Sequence, residues 1–354
     1  MNTILVTSTS GGTGKTAITV GLGKLAQQQD RSVGYMKPKG TNLESAVGKT
    51  RDEDPMLARE LLGLDAEMHQ LEPVVYSPTF VQEAIRGRAD PDELREDIRS
   101  NFEDLAEETD LMLLEGADHR WTGGTVDLTD ADVAQLLDAD VLVVSEYTTA
   151  GDVDEVLDAA AAFGDNFAGV LFNDVSPDRY DELTEDAIPF LNGKGVESVG
   201  VLPHDDQMGG VSVDELAGGI GAERLTPEID ESGRVERFLV GAMGSSAALE
   251  QLRRTRGAAV ITGGDRSDIQ TAALQAGGVE CLILTGGHRP PNAVLGKAAS
   301  QGVPVFLVQT DTRTAIDRTE AVLGSGRTRS PEAVDRMVDL LAESSDFESL
   351  LSLS

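Results

Sequence analysis

Short apolar runs alternate with longer amphipathic segments along the N-terminal part of the chain. The runs lie at 3–7, 32–35, 111–114, 141–144, 169–172 and 198–202. Compact apolar runs of this length are typical of strands buried on both faces of a parallel sheet, and the longer segments between them are typical of helices. The pattern therefore predicts an α/β fold, with a mostly parallel sheet and helices on both of its faces.

A polar stretch at about 222–233 interrupts this alternation. Beyond it, strands are predicted at 235–240, 258–262, 281–285 and 303–308, and a further helix is predicted over 331–344. A chain of 354 residues is also too long for one ordinary core. We therefore predict a first α/β domain over 1–222, a linker over 223–233, and a second, smaller α/β domain over 234–354.

The acidic balance of the chain indicates its surroundings. Asp and Glu number 62 against 29 Lys and Arg, which gives a formal net charge of −33. Because concentrated salt screens the repulsion among such charges, we interpret the composition as halophilic adaptation. An acidic interaction tail is the alternative, but the acids are spread along the whole chain. A surface of this sign repels phosphates, so we expect no binding of DNA or RNA.

The other compositional features favour a protein of the cytoplasm. No apolar run approaches the length of a membrane span, and the first residues form no signal-like segment. The one cysteine, Cys281, stands in an apolar run, so we expect a buried small hydrophobe rather than a reactive thiol. The four histidines are not spaced as zinc ligands, and no zinc site is predicted.

A glycine-rich loop links the first predicted strand to the first predicted helix. Its sequence at 8–16 is Ser-Thr-Ser-Gly-Gly-Thr-Gly-Lys-Thr. Glycines let backbone N–H groups turn toward one anion at a helix N-terminus, while Lys15 can neutralise outer phosphates and Thr16 can ligate magnesium. We predict that this loop binds ATP with Mg²⁺, through Ser10, Gly11, Gly12, Thr13, Gly14, Lys15, Thr16 and Ala17. An ordinary glycine turn is the alternative, and Thr9 replaces a glycine of the common motif.

Carboxylates are expected to complete the magnesium site. Glu115 closes a buried strand, at the edge where ligands bind in parallel sheets, and Asp54 opens the helical region after the second strand. We predict Thr16, Asp54 and Glu115 as the metal ligands. A helix cap or surface charge is the alternative for Glu115, and a solvated helix start is the alternative for Asp54.

Further polar residues follow other predicted strands. Lys37 and Lys39 follow the second strand, and in a chain so poor in lysine we interpret them as ligands for a transferred phosphate or an anionic substrate, with surface lysines as the alternative. Asn173 and Asp174 follow a later strand, where an amide can pair with adenine or simply cap a turn. Pro203 ends the next strand and is predicted to line the other side of the base pocket.

Two glycine turns follow successive strands of the second predicted domain, at 263–268 and 285–291. Asp265 and Arg266 in the first turn and Arg289 in the second are candidates for holding a small anionic ligand. Purely structural turns remain the alternative.

With these residues, the first domain resembles the dethiobiotin synthetase-like branch of phosphate-loop (P-loop) proteins. The likeness rests on the loop at 8–16, Lys37-Pro38, Glu115-Gly116-Ala117, Asn173-Asp174 and the strand ending Gly200-Val201-Leu202-Pro203. The second domain resembles the DRTGG domain, through the run Gly-Asp-Arg-Ser-Asp-Ile at 264–269. The same order of domains precedes the catalytic domain in long phosphotransacetylases.

The resemblance implies that Lys15 and Lys37 act at the reacting phosphoryl group, that Asn173 reads adenine, and that the protein forms a homodimer. Two segments depart from a true dethiobiotin synthetase: Lys39-Gly40-Thr41-Asn42 and the run Asp-His-Arg-Trp-Thr-Gly-Gly at 118–124. They argue against diaminopelargonate as a substrate and do not affect the prediction that the loop binds ATP. The acyl-transferring domain of phosphotransacetylase is missing, so this chain is not expected to make acetyl phosphate by itself.

Three functions follow as hypotheses. The first is a regulatory protein, in which ATP binds the first domain and a second ligand or a partner binds the DRTGG-like domain. The second is an ATP-dependent ligase or synthetase that phosphorylates a small carboxylate or carbamate. The third is a scaffold with a vestigial loop, against which the retained Lys15, Thr16 and Glu115 count. The extra domain and the altered substrate segment favour the first over the second.

Overall fold

The computed structural model describes residues 1–41, 43–46, 49–205, 208, 210–226, 233–241, 249–250, 252–253, 255–326 and 331–344. These residues form two compact units. The first contains the described residues up to Asp205 and those from Pro331 onward, and the second contains the described residues between them. Asn42 of the predicted substrate segment and residues 227–232 of the predicted linker lie outside the described residues.

A parallel sheet forms the centre of the first unit. Its strands and the short strands around it are β1 (Asn2–Ser8), β2 (Val33–Met36), β3 (Lys39–Gly40), β4 (Leu43–Ala46), β5 (Lys49–Asp52), β6 (Val74–Val75), β7 (Leu111–Glu115), β8 (Asp140–Ser145), β9 (Phe167–Val175) and β10 (Ser198–Pro203). In the described part of the chain, the central strands lie in the order β10-β9-β8-β1-β7-β2. All neighbours in this sheet are parallel, which confirms the predicted fold class.

Helices cover both faces of this sheet. They are α1 (Lys15–Gln28), α2 (Glu53–Leu62), α3 (Met68–Leu71), α4 (Pro78–Ile85), α5 (Pro91–Ala106), α6 (Asp130–Leu136), α7 (Asp152–Phe163), α8 (Pro177–Glu182) and α9 (Ile188–Gly193). Local sequence fixes where several of them begin. Asp90 caps α5 through its side chain, and Pro91 occupies the first turn, where no backbone donor is needed. The apolar strand residues between the helix layers are fully buried, as at Leu5 and Leu114.

The second unit has its own, smaller sheet. Its strands are β11 (Val211–Ser212), β12 (Glu223–Arg224), β13 (Arg234–Val235), β14 (Arg237–Val240), β15 (Ala258–Gly263), β16 (Val279–Thr285) and β17 (Val305–Leu307). Its helices include α10 (Val213–Gly219), α11 (Ser267–Ala276), α12 (Asn292–Ser300) and α13 (Thr312–Gly326). The main sheet has the order β12-β17-β16-β15-β14, and β12 alone runs antiparallel to its neighbour among these described strands. Cys281 is fully buried in this sheet, as expected.

The unit boundaries differ from the predicted domain boundaries. Glu223 and Arg224, placed in the linker by their polarity, form β12, because their backbone pairs with β17. The last described helix, α14 (Pro331–Ser344), belongs to the first unit although it was predicted within the second domain. Its Met337 and Leu341 pack against Gly21 of α1, where the missing side chain leaves room for them.

Ion pairs reinforce the contact of α14 with the first unit. Lys24 of α1 pairs with Asp335 at 2.6 Å, and the Arg336 guanidinium pairs with Asp205, just beyond β10, at 2.6 Å. No helix among the residues described is both long and apolar enough to cross a membrane.

Candidate phosphate-binding site

The glycine-rich loop turns directly from β1 into α1. Gly12 and Gly14 have φ values of 78° and 87°, a left-handed conformation that side chains disfavour, and α1 begins at the next residue, Lys15. The first N–H groups of a helix have no partner within the helix, so this junction offers backbone donors and the positive end of the helix dipole. The local geometry is therefore that of an anion-binding loop.

Lys15 curls back over the loop. Its ammonium donates to Ser8 Oγ at 2.8 Å and to the carbonyl of Asp118 at 3.5 Å, and only 8% of the residue is exposed. Burial lowers the pKa of Lys15, and the carboxylates of Glu115 and Asp118 act in the opposite direction. A buried ammonium in this position gains from an anion at the loop, because the anion replaces part of its lost hydration.

Glu115 receives two hydroxyl donors at the end of β7. Thr16, the second residue of α1, donates to Oε1 at 2.7 Å, and Tyr35 of β2 donates to Oε2 at 2.8 Å. The residue is 1% exposed. Burial, followed by repulsion from Asp54, raises the pKa of Glu115 to about 7, although Lys37 and the two hydroxyls oppose the shift. Tyr35 was not identified from the sequence, because a tyrosine in a buried strand is normally interpreted as a core residue.

Lys37 lies at the centre of an acidic cluster. Its ammonium contacts Asp54 Oδ2, lies 2.8 Å from Asp52 Oδ2 and 4.0 Å from Glu115 Oε1, and the residue is 1% exposed. Burial by itself would lower the pKa of Lys37, but these three carboxylates together raise it. The structure thus brings Lys37, Asp54 and Glu115 together.

Asp52 was missed as a member of this cluster. A helix start was the alternative for the acidic run at 52–54, and Asp52 does cap α2 by accepting from the backbone N–H of Asp54 at 3.0 Å. Its other carboxylate oxygen pairs with Lys37. The available signal was the lysine itself, because a buried lysine requires an acidic partner.

The cluster suits a divalent cation of the Mg²⁺ type. Asp52, Asp54 and Glu115 face the single ammonium of Lys37, and Thr16 adds a hydroxyl oxygen beside Glu115. Hydroxyl and carboxylate oxygens are the ligands that Mg²⁺ prefers. In the part of the chain that the structure describes, no three acidic, histidine or cysteine side chains converge as a complete metal site. A magnesium ion here would therefore need further ligands from nucleotide phosphates or water.

Lys39 serves the fold instead of a ligand. Its buried ammonium donates to the carbonyls of Thr122, at 2.9 Å, and Leu128, and it pairs with Asp130 at 3.0 Å. These acceptors fill its donor sites, so the interpretation of Lys39 as an anion ligand is not supported. Asp130, which sequence reasoning overlooked, also accepts from Thr7 of β1 at 2.6 Å.

The predicted base-binding residues lie on β9 and β10, beyond β8 from the loop. The Asn173 amide donates to the carbonyl of Thr13 at 2.9 Å, which ties this strand to the phosphate loop. Asp174 has a φ of 59° and lies 2.5 Å from His204 Nδ1, just after Pro203. Register places Pro203 opposite Val175. The structure therefore brings Asn173, Asp174 and Pro203 to one edge of the sheet.

The two glycine turns of the second unit are bonded to neighbouring strand ends. The Gly264 N–H donates to the Thr285 carbonyl at 3.2 Å, and the Gly286 N–H donates to the Thr310 carbonyl at 2.8 Å. A Cβ at Gly264 would collide with the carbonyl of His288, so the turns touch.

The predicted anion ligands beside these turns have carboxylate neighbours. Arg289 pairs with Glu223, and Arg266 lies 3.5 Å from Asp268. The exposed carboxylate of Asp265 lies against its own turn, close to Gly263. These contacts agree better with the structural alternative than with an anion site.

Comparisons with known proteins agree with this architecture. A family model described as AAA domain matches residues 2–212, and one described as DRTGG domain matches residues 215–322. The ATP-dependent dethiobiotin synthetase of Frankia casuarinae is 36% identical over 182 residues, which cover 48% of this chain and 71% of that protein. A phosphate acetyltransferase of Pseudomonas putida is 25% identical over 88% of this chain.

That alignment covers 46% of the acetyltransferase, so the chain spans about half the length of the phosphate acetyltransferases it matches. Among solved structures, the MinD cell division protein of Aquifex aeolicus is similar to 59% of this chain and 84% of that one, with 16% identity and a TM-score of 0.36.

Proposed function

The chain belongs to the dethiobiotin synthetase-like family of AAA domains and carries a DRTGG domain after it, and from this premise we propose that it binds ATP with Mg²⁺ in a regulatory role. The observation that carries the proposal is the junction of β1 and α1. There Lys15 curls over the glycine loop, and Thr16 meets the strand-end carboxylate of Glu115 at 2.7 Å. In this proposal Lys15 and the loop hold the phosphates, while Thr16, Glu115 and Asp54 hold the magnesium ion.

Magnesium, when bound, would neutralise phosphate charge and fix the phosphates against the loop. The chain's own residues do the rest. Lys15 supplies the ammonium, and Tyr35 and Thr16 hold the two oxygens of Glu115 in place. Asn173 hydrogen-bonds the loop and so links it to the strand whose end is proposed to bind the adenine base of ATP. Asp174 and Pro203 would line the same base site.

A regulatory role is favoured over a synthetase because the two lysines that would hold the substrate to be phosphorylated are already paired. Lys37 is surrounded by three carboxylates, and the Lys39 ammonium is bound to Asp130 and two backbone carbonyls. Neither lysine is available to hold a carboxylate or carbamate substrate without rearrangement. The DRTGG domain supplies a second unit whose ligand or partner can be coupled to ATP occupancy.

An ATP-dependent synthetase remains the second candidate. The 36% identity with a dethiobiotin synthetase supports it, as does the retention of Lys15, Thr16, Lys37 and Glu115. The two candidates differ in turnover. ADP release that rises when small carboxylates or amines are added would favour the synthetase, and tight ATP binding with negligible ADP release would favour the regulator.

The nucleotide proposal is tested by titrating the protein with ATP and Mg²⁺ in concentrated KCl, by calorimetry. Lys15→Ala should abolish binding, because it removes the ammonium that lies over the loop. Lys24→Ala is the matched control, since it removes a lysine from the same helix that pairs with Asp335 on the surface. ATP affinity that is equal in Lys15→Ala and wild type would refute the nucleotide assignment.

We also propose that the protein is halophilic and cytoplasmic, on the strength of its −33 net charge and composition. We propose a homodimer on the resemblance of its two domains to their families. Thermal stability measured against KCl concentration should rise steeply, and sedimentation should give twice the chain mass. We further propose that a second anionic ligand binds at Asp265, Arg266 and Arg289. Phosphate or a nucleotide should then protect Arg289 from arginine-specific modification.

A further inference from the structure

A short segment at 118–121 lies against the phosphate loop. It follows Glu115 closely, after β7 has ended. A methyl group on Gly11 would lie 3.7 Å from His119 Cε1 and 4.0 Å from the carbonyl of Asp118, and that carbonyl accepts from Lys15. His119 is itself solvent-exposed. An exposed imidazole thus lies beside Gly11 of the anion-binding loop, where a side chain on Gly11 would meet it.

The backbone of this segment is fixed by hydrogen bonds to residues outside the loop. The Thr122 N–H donates to the carbonyl of His119 at 2.8 Å, and the Asp130 N–H donates to the carbonyl of Arg120 at 2.9 Å. The buried Lys39 ammonium holds the carbonyl of Thr122. The His119 side chain therefore extends from a turn whose position is set by buried contacts.

The ring of His119 is also oriented. It stacks on Trp121 with ring centres 4.8 Å apart and planes 8° from parallel. The Arg120 guanidinium lies 5.3 Å from the centre of the same indole and pairs with Asp158 of α7. Trp121 is the only tryptophan of the chain and is 58% exposed, so its packing contributes little to the core. Its stack with His119 holds the imidazole beside the loop.

The sheet order indicates which phosphate the imidazole would meet. The proposed base-binding residues lie at the C-terminal ends of β9 and β10, on one side of β1, and the segment at 118–121 follows β7, on the other side. A nucleotide whose base lies by β9 and whose phosphates cross the loop after β1 directs its outermost phosphate toward β7. The proposed magnesium ligand Glu115 is on that same strand.

We propose that His119 hydrogen-bonds the outermost phosphate of the bound nucleotide and thereby distinguishes ATP from ADP. The proposal rests on the proposed nucleotide binding. An imidazole N–H is a suitable donor to a phosphate oxygen, and the turn and the indole stack hold it in place before the ligand arrives. Trp121 is a positioning residue in this arrangement, because it acts on the phosphate only through the ring of His119.

The test compares ATP and ADP affinities of the full chain, each with Mg²⁺, for wild type, His119→Ala and His69→Ala. His69 is exposed on α3 and serves as the matched control. His119→Ala should weaken ATP binding about tenfold or more, the loss expected for one hydrogen bond to a charged group, and should leave ADP binding within about twofold. His119→Gln, which keeps a donor, should recover part of the difference.

Variants of Trp121 test the positioning role of the indole. Trp121→Phe should keep the preference for ATP, since a phenyl ring can still stack, and Trp121→Ala should reduce it in the direction of His119→Ala. An ATP to ADP affinity ratio that is unchanged in His119→Ala, or equal losses for both nucleotides, would overturn the proposal while leaving nucleotide binding intact. Wild-type protein that binds neither nucleotide would overturn the proposed function and this inference with it.

Discussion

Replacing Lys37 by methionine should destabilise the protein strongly, and more at high pH than at low pH. The substitution keeps an unbranched apolar chain but removes the ammonium of a residue that is 1% exposed and touches Asp52 and Asp54. It also removes the cation 4.0 Å from Glu115. The variant would then enclose three carboxylates that have lost the ammonium they share.

The magnitude follows from Coulomb's law. Two unit charges 4 Å apart interact by about 4 kcal/mol at an effective dielectric constant of 20. Breaking a buried ion pair by removing one partner typically costs about 3–5 kcal/mol, because the remaining charge stays buried and uncompensated. We expect Lys37→Met to lose about this much free energy of unfolding at pH 8.

The pH dependence has a definite sign. The pKa of Glu115 is raised to about 7 even with Lys37 present, and without the ammonium it should rise further. A carboxyl whose folded pKa is raised keeps its proton in the folded state while the unfolded chain has lost it. Stability therefore falls as the pH rises from the ordinary carboxyl pKa through the raised one. The deficit of Lys37→Met relative to wild type should shrink from pH 8 to pH 5.

The assay is urea unfolding, followed by circular dichroism, at pH 5 and pH 8 in the same high-salt buffer. Lys24→Met is the control, because it removes a lysine from a partly exposed pair with Asp335, which should be worth at most about 1 kcal/mol. A deficit of Lys37→Met below about 1 kcal/mol at pH 8, or one that grows toward pH 5, would refute the reasoning.

Two further predictions concern single sites. Gly123→Ala should destabilise the first unit by at least ~2 kcal/mol, because Gly123 has a φ of 103° and its new Cβ would lie 2.1 Å from the carbonyl oxygen of Leu128. Thermal melting checks this, and Gly63→Ala, with a φ of 65° and no atom within 4 Å of the new Cβ, should lose less. Burial raises the pKa of the Cys281 thiol to about 12, so a thiolate-directed reagent at pH 8 should leave the folded protein unlabelled and label it after denaturation. Rapid labelling of the folded protein would contradict the buried thiol.

Much of the candidate site could be predicted because its signals are local. The loop at 8–16 combines a strand, glycines and a helix start within one short stretch, and the conformations of Gly12 and Gly14 depend on the absence of a side chain at those positions alone. The end of β7 was predictable too, because apolar runs mark strands, and parallel strands end at a common edge. This is why Lys15, Thr16 and Glu115 were identified together. The end of β9 was predicted too early, since β9 continues to Val175 and includes Asn173 and Asp174.

The partners of buried charges could not be predicted in the same way. Lys39 resembles Lys37 in sequence, yet it pairs with Asp130, 91 residues further along the chain, while Lys37 pairs with Asp52 and Asp54. A buried lysine must have an acidic partner, but the sequence does not say which one comes near. Tyr35 can donate a hydrogen bond to Glu115 only because β2 lies beside β7 in the sheet.

The sequence by itself determined the main parallel strands, the longer helices, the α/β class and the anion-binding loop, since each of these follows from periodicity or from backbone preferences over a few neighbouring residues. Only the tertiary structure decided that α14 returns to the first unit and packs on α1 beside Gly21. An amphipathic helix specifies that its apolar face must be covered, and not which surface covers it. That choice depends on the shape of surfaces far apart in the chain, which become defined only when the whole unit has folded.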